Sequence, residues 1–458
     1  MQRPCLLIKI LISLCVLGLF MGSAAPKSAA AARIPAAGGW RFTKVLESGI
    51  QTLDPHMAYD VNSFESIGQV YETLLTYQRE DPTELIPLLA ESWHISDGGL
   101  TYTFTLRRGI TFHAGGLLEA HDAAYSFWRG LLQDYEYGPV TLIIEALFGV
   151  NHIDELPGDD LARCQMVKNA VTYDDQNSQI TFHLKSPYAP FASLLTGWYS
   201  SLLDQEWMIA QGDWDASCDT WRDWYNPQVE DSVLYEQMNG TGPFRLVSWD
   251  SDMLHLESDP QYWRVEPLWP GASSGAANLQ DVYFIIEEDA ETRGKMLIDG
   301  AVDSVGFSAG FPDQFGPYLW GVFDGYEDQF PDLVDAEHGI LKEYANLANM
   351  RQFALLFNYQ ITEADNPFIL SGALDGNGIP PDFFSDIHVR KAFSHAVDWQ
   401  RVIDNVYGAQ AIRAQGPIPM GEIGFDPDLE PYLFDLALAE AELKLAFGGA
   451  LWTNGFKM

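Results

Sequence analysis

Cysteine is scarce in this chain, at four in 458 residues, and no two form a C-x-x-C pair. That excludes a cysteine-based metal site of the usual spacing. Positive charge is also scarce: 26 Lys and Arg stand against 64 Asp and Glu, for a formal net charge of −38. Such a surface works against binding to nucleic acid or anionic lipid. The ten histidines form neither H-x-H nor H-E-x-x-H, so no metal site is expected, and no cofactor. No G-x-x-x-x-G-K-[ST] loop is present, which places nucleotide hydrolysis elsewhere. The acidic residues are too many for any two to stand out as a glycosidase pair. There is no fixed-period repeat. After residue 32, no segment is apolar enough to cross a bilayer.

The N-terminus differs from the rest. In MQRPCLLIKILISLCVLGLFMGSAAPKSAAAA, Arg3 and Lys9 precede an apolar run from Ile10 to about Met21, then small residues. This is the layout of a secretory signal peptide, with cleavage after Ala25 or Ala32; the alternative is an uncleaved anchor. A lipoprotein site fits poorly, because Leu14 precedes Cys15 where a small residue is needed. Export removes Cys5 and Cys15 and leaves Cys164 and Cys218, for which a disulfide is expected in an oxidising compartment. Two separate buried thiols are the alternative. Trp214, Cys218, Trp221 and Tyr225 follow the spacing of one helix face, which favours it.

Further along, RFTKVLESGI reads as a strand. SIGQVYETLLTY has Ile67, Val70, Tyr71, Leu74 and Leu75 at helical spacing. Around Asp97-Gly98-Gly99 a hairpin is predicted, with Tyr102, Phe104 and Leu106 alternating with threonines. The helix EAHDAAYSFWRGLLQ follows, with Ala120, Ala123, Ala124, Phe127 and Leu131 on one side. Two more hairpins are predicted around 174–179 and 250–252, then a buried strand at LQDVYFIIEED and a short helix ending at Gly300. ALLFNYQ is a further strand candidate, and DIHVRKAFSHAVDWQRVIDNVYG reads as two helices with Asp398 capping the second. Strands and helices mix without regular alternation, so the class is α/β of irregular topology.

Several segments together resemble one family. ITFHAGGLLEAHDAAYSFWRG carries Phe112, His113, Gly115, Asp122, Ser126 and Phe127 of a signature turn and helix, with Ala114 departing from the usual acid. NGTGPFRLVSW, SDPQYW, EEDAETRGKMLIDGAVDSVGF and DIHVRKAFSHAVDWQRVIDNVYGAQA follow in the same order as in that family. The match runs from about residue 42 to 420. It is a resemblance to the extracellular solute-binding proteins of family 5, the peptide/nickel class that serves ABC importers. The resemblance implies a type II (cluster C) periplasmic-binding-protein fold: two lobes, an extra domain in the first, and a hinge motion on binding. On that basis residues 1–32 are a signal peptide and tether, 33–295 the first lobe with its inserted domain, and 296–458 the second lobe. Family members usually continue past GGALWTNGFKM, so the second lobe is expected to be incomplete.

The resemblance also implies an exported, non-enzymatic receptor, periplasmic or attached to the cell surface. It is expected to be monomeric and to hand a small solute to a permease and ATPase. An oligopeptide or dipeptide is the expected solute; nickel complexes, haem and oligosaccharides are the alternatives within the family. By family position the ligand contacts are Asp54, Pro55, His56, Tyr59, Phe307, Ser308, Asn358, Tyr359, Arg413 and Pro417. A different class of function is raised by GFSAG at 306–310, a G-x-S-x-G match that would make Ser308 a hydrolase nucleophile. Pro312 and Gly316-Pro317 break the helix that such an elbow needs, and His338, His388 and His395 are the only later histidines. A third reading is a non-functional fragment of the same family.

Overall fold

The computed structural model describes residues 40–78, 81–306, 319–321, 341–343, 352–364, 366–407, 411–420 and 424–458. The leader, Phe307 and Ser308 lie outside the described residues. The chain divides into two compact units, Met1–Phe307 and Ser308–Met458.

In the first unit, five strands pair in the order Ser304–Val305 (β11), Arg41–Leu46 (β1), Asp281–Ile286 (β10), Met253–Ser258 (β9), Phe244–Trp249 (β8). β1 runs parallel to β10 and β11, with Val45 opposite Ile285 and Val305. β10 and β9 are antiparallel, as are β9 and β8. Four successive residues of β10, Val282 to Ile285, are buried, as expected for a strand covered on both faces. The helix Ala290–Ile298 (α6) returns to this sheet, and its Met296 packs with Val45 and Ile285. Both α6 and β11 therefore belong to the first unit, which ends later than the 295/296 boundary.

A second sheet has the order Ala90–Ser96 (β4), Thr101–Leu106 (β5), Gln179–His183 (β7), Val171–Asp174 (β6). Asp97, Gly98 and Gly99 all have positive φ (53°, 68° and 93°), and this left-handed turn joins β4 to β5. Tyr102, Phe104 and Leu106 face inward, and Phe104 meets Phe182 edge to face at 5.8 Å. The helix Ala120–Gln133 (α2) packs on this sheet through Phe127, whose ring lies 4.7 Å from Phe182. Around it are helices Val61–Val70 (α1), Thr141–Phe148 (α3), Asp160–Ala170 (α4) and Gln205–Ala210 (α5). In the second unit, Ile387–Ala396 (α7) and Leu436–Leu445 (α9) pack against a small core of Ile369, Ile379, Phe383, Val389, Ala446 and Leu451, and Trp399–Val406 (α8) follows α7 in the chain.

Three local expectations fail, each for a tertiary reason. The helix expected through SIGQVYETLLTY stops at Val70, although all five apolar residues are buried. Beyond it, the carbonyls of Thr73 and Leu74 accept from Leu88, Leu89 and Ala90, and Leu75–Gln78 (β2) pairs with Asp81–Pro87 (β3). Trp214 to Tyr225 do not form a helix face: the segment is turns with a single 3₁₀ turn at Trp221–Trp224. Its aromatics are pinned individually, Trp214 Nε1 donating to Ser217 O and Trp221 Nε1 to Asp160 O. ALLFNYQ forms no strand; its Leu355 and Leu356 are exposed, and among the described residues nothing pairs with it. A strand persists only with a neighbour to bond.

Cys164, buried in α4, is disulfide-bonded to Cys218, with Cα atoms 5.6 Å apart and 54 residues separating them in sequence. The bond ties the turn-rich 214–225 segment to a helix. Loop closure of that length is worth about 4 kcal/mol in the unfolded state. A Cys164→Ala/Cys218→Ala double variant should lose stability of that order in denaturant melts. Reductant should lower the midpoint of the parent chain and leave the variant unchanged.

Candidate functional site

The helix α2 has no solvent face beyond its first turn: every residue from Asp122 to Gln133 is buried, Arg129 included at 3% exposure. A buried guanidinium needs acceptors for its donors. Arg129 Nη2 donates to Asp54 Oδ2 at 2.8 Å and Asp213 Oδ2 at 3.0 Å, and Nε donates to Asp213 Oδ1 at 3.0 Å. Nη1 donates to His56 Nδ1 at 3.0 Å and Gln133 Oε1 at 3.3 Å. Ser232 Oγ donates to Asp54 Oδ2 at 2.6 Å, and the backbone N–H groups of His56 and Trp214 complete the carboxylates. Gly130 lets the His56 ring lie against the helix, where a Cβ would come within 3.1 Å of it.

Burial alone would raise the Asp54 carboxyl, but Arg129, His56 and Ser232 outweigh it and bring its pKa down to about 2. Burial and then the Arg129 charge lower His56 to about 3, so its ring is neutral and accepts through Nδ1. Beside the cluster is a pocket of about 520 Å³ with Asp213, Asp215, Asp223, Asp231 and Trp224 in its wall. Asp213 faces it already committed to Arg129.

The residues expected to touch ligand are placed differently from one another. Asp54, Pro55 and His56 are buried, the first and third within the Arg129 cluster. Tyr59 is 63% exposed, on a turn held by Ala58 N–H donating to Asp54 O and by Trp198 Nε1 donating to Ala58 O at 2.8 Å. Trp198 stacks on Phe64 at 4.7 Å. Burial and then the phenols of Tyr59, Tyr77 and Tyr188 push the Tyr199 hydroxyl upward. In the second unit, Asn358, Tyr359 and Pro417 are exposed; the Arg390 guanidinium lies 4.4 Å over Tyr359. Arg413 is half-buried over Trp399 at 5.0 Å, and burial lowers its pKa. His388 bonds Glu442 at 2.6 Å and His395 bonds Leu433 O at 2.8 Å, so both are engaged locally.

Residues 84–456 match the family of bacterial extracellular solute-binding proteins, family 5 Middle. The chain belongs to that family. It is 26% identical over 402 residues to heme-binding protein A of Haemophilus influenzae, covering 86% of this chain and 58% of that protein. It is 25% identical over 374 residues to the dipeptide-binding protein of Escherichia coli, covering 80% of this chain and 55% of that one. The chain thus spans less than two thirds of these relatives. Among solved structures it is similar to the ABC transporter-associated periplasmic binding protein DppA from Helicobacter pylori in complex with the peptide STSA. There the TM-score is 0.55 at 21% identity, over 89% of this chain and 66% of that one. It is also similar to NikZ from Campylobacter jejuni in complex with Ni(L-His), with TM-score 0.53, 17% identity, and 88% and 62% covered. The fold is that of the type II periplasmic binding proteins.

The family 5 motif residues have structural duties in this chain. His113 N–H donates to Gly240 O, and His113 Nε2 bonds Gly242 O at 2.8 Å. Gly242 N–H donates to Val70 O at 2.8 Å, and a Cβ on Gly240 would lie 2.0 Å from that same oxygen, so the glycines of NGTGP admit the end of α1. Asp122 accepts from Glu119 N–H and Gln205 N–H, both at 2.8 Å, and Ser126 Oγ accepts from Leu203 N–H at 2.7 Å. Glu72 takes Tyr262 Oη and Trp263 Nε1 at 2.6 Å and Thr241 Oγ1 at 2.9 Å, fixing SDPQYW. Sequence reasoning missed Arg129, Gln133, Asp213 and Ser232. The available signal was one Arg within the apolar run SFWRGLL.

The cluster dictates an acid response. Below the unfolded His pKa near 6.5, the unfolded chain binds a proton that His56, held at about 3, does not. Stability should therefore fall by about 3 kcal/mol as pH drops from about 6.5 to 4. The Asp54 contribution is present above about 3.8 and is lost as pH falls toward 2. Urea melts across that range should show the slope, and His56→Asn, which keeps an acceptor for Arg129, should flatten it between pH 6.5 and 4. An unchanged slope in His56→Asn would contradict the assignment.

Proposed function

We propose that this chain is the exported substrate-binding subunit of an ABC importer, capturing a peptide or similar solute and delivering it to a permease and its ATPase. Family membership across residues 84–456 carries the reading. The relatives' names support the solute class: one is a dipeptide-binding protein, and one similar structure holds the peptide STSA. The chain's own residues add to it. Binding proteins offer flat apolar surfaces with a few polar groups. Tyr59, exposed on the turn held by Ala58 and Trp198, offers such a ring. In this reading Asp54 and His56 act through the turn they anchor, and Tyr59 makes the contact. Phe307, Ser308, Asn358, Tyr359, Arg413 and Pro417 are the further proposed contacts, and Ser308 binds rather than attacks. The protein works outside the cytoplasm, in the periplasm or at the cell surface, as a monomer.

Melting the full chain with dipeptides, oligopeptides, glutathione, haem, oligosaccharides and Ni²⁺ complexes tests this. A solute at a hundredfold excess over its Kd stabilises by about 2.7 kcal/mol. At least one peptide class should raise the Tm, Tyr59→Ala should weaken that shift, and Ser308→Ala should weaken it less than Tyr59→Ala does. Turnover of an ester or peptide probe that Ser308→Ala abolishes, or no shift with any solute, would overturn the reading.

A further inference from the structure

A second polar cluster stands apart from Arg129, where the start of α2 meets the start of α5 and the β6–β7 turn. His121 is the second residue of α2, and Asp122 beside it is fully buried. Asp122 Oδ1 accepts the N–H of Gln205, which draws the first turn of α5 alongside and sets Glu206 next to the imidazole. Nε2 of His121 lies 3.1 Å from Glu206 Oε1 and 3.8 Å from Asp122 Oδ1. The three ligand-capable atoms fall within 4.8 Å of one another. On the far side of the ring, Nδ1 lies 3.2 Å from Asp175 Oδ1, which also accepts the His121 N–H at 2.9 Å. Glu119 Oε2 is 3.8 Å from Nδ1. Among the ion pairs of the described residues, none brings a lysine or arginine to these carboxylates.

We propose that His121 Nε2, Asp122 and Glu206 bind a divalent transition-metal ion of the zinc class, with Asp175 orienting the imidazole. The geometry matches how such ions are held. One imidazole and two carboxylates suit zinc, cobalt or nickel, whereas calcium and magnesium use oxygen ligands alone. A ligating histidine almost always donates its other N–H to a carboxylate, and the Nδ1–Asp175 contact is that arrangement. It directs Nε2 toward Asp122 and Glu206. The ion takes the place of the proton now shared between Nε2 and Glu206, and binding releases that proton. The N-terminal end of α2 opposes a cation with about half a unit charge. Three carboxylates outweigh it. The exposed Glu206 side chain is free to adjust around an ion seated between His121 Nε2 and Asp122 Oδ1, which are 3.8 Å apart.

The ligands come from residues 121–122 and 206, so no local spacing such as H-x-H announces them, and the expectation of no metal site rested on such spacings. The site is independent of the solute-binding reading, because it lies within the first unit and uses none of the proposed solute contacts.

Isothermal titration of the chelator-treated full chain with Zn²⁺ tests it. One equivalent should bind, Co²⁺ should give visible d–d bands, and either ion should raise the Tm. His121→Ala and the fold-neutral surface change Glu206→Gln should each weaken Zn²⁺ at least tenfold and remove the Co²⁺ bands. Asp175→Asn should weaken it about tenfold to a hundredfold. Absence of Zn²⁺ binding would overturn the proposal. So would unchanged affinity in both His121→Ala and Glu206→Gln, or an equal Tm rise with Ca²⁺.

Discussion

Burying one guanidinium inside a helix with no solvent face is the constraint around which the first unit is organised. Arg129 cannot reach water, so the chain must bring it acceptors, and it brings them from Asp54, His56, Asp213 and Ser232. These partners lie as far as 178 residues apart in sequence. Removing one charge of such a set leaves the other uncompensated, at roughly 3–5 kcal/mol, whereas the intact set contributes little beyond an apolar replacement. Its value is specificity of arrangement. The turn ending at Tyr59, helix α2 and the segments at 213 and 232 are fixed to one another by it.

The family motifs extend the same logic by backbone capture. His113, Gly240 and Gly242 close the signature turn onto the end of α1, while Asp122 and Ser126 hold Gln205 and Leu203 to α2. Glu72, buried and with its pKa raised by that burial, is satisfied by Tyr262, Trp263 and Thr241. Motifs that identify a binding-protein family thus serve here mainly to assemble the first unit.

What could be read from sequence follows from range. The hairpin at 90–106 was legible because alternation and the Asp-Gly-Gly turn are local, and so were α7 and α8, with the Asp398 cap. The end of α1 was not legible, since Leu88–Ala90 and Gly242 decide it from afar. Nor was the loss of ALLFNYQ as a strand, because alternation predicts a face and not a neighbour. The family and its fold class were legible from several soft motifs in order. The Arg129 cluster was not, because its partners share no spacing. Asp54 and His56 were singled out by family position, and the structure shows each engaged by Arg129.

With acceptors drawn from across the first unit, the Arg129 cluster should open only when that whole unit unfolds. Native-state hydrogen exchange measures this directly. The amides of His56, Ala58, Trp214 and Leu234 should exchange with the same opening free energy as those of Phe104 and Phe182 in the β5–β7 ladder. If those four exchange through a much smaller opening while the ladder stays protected, the cluster is peripheral and does not organise the first unit.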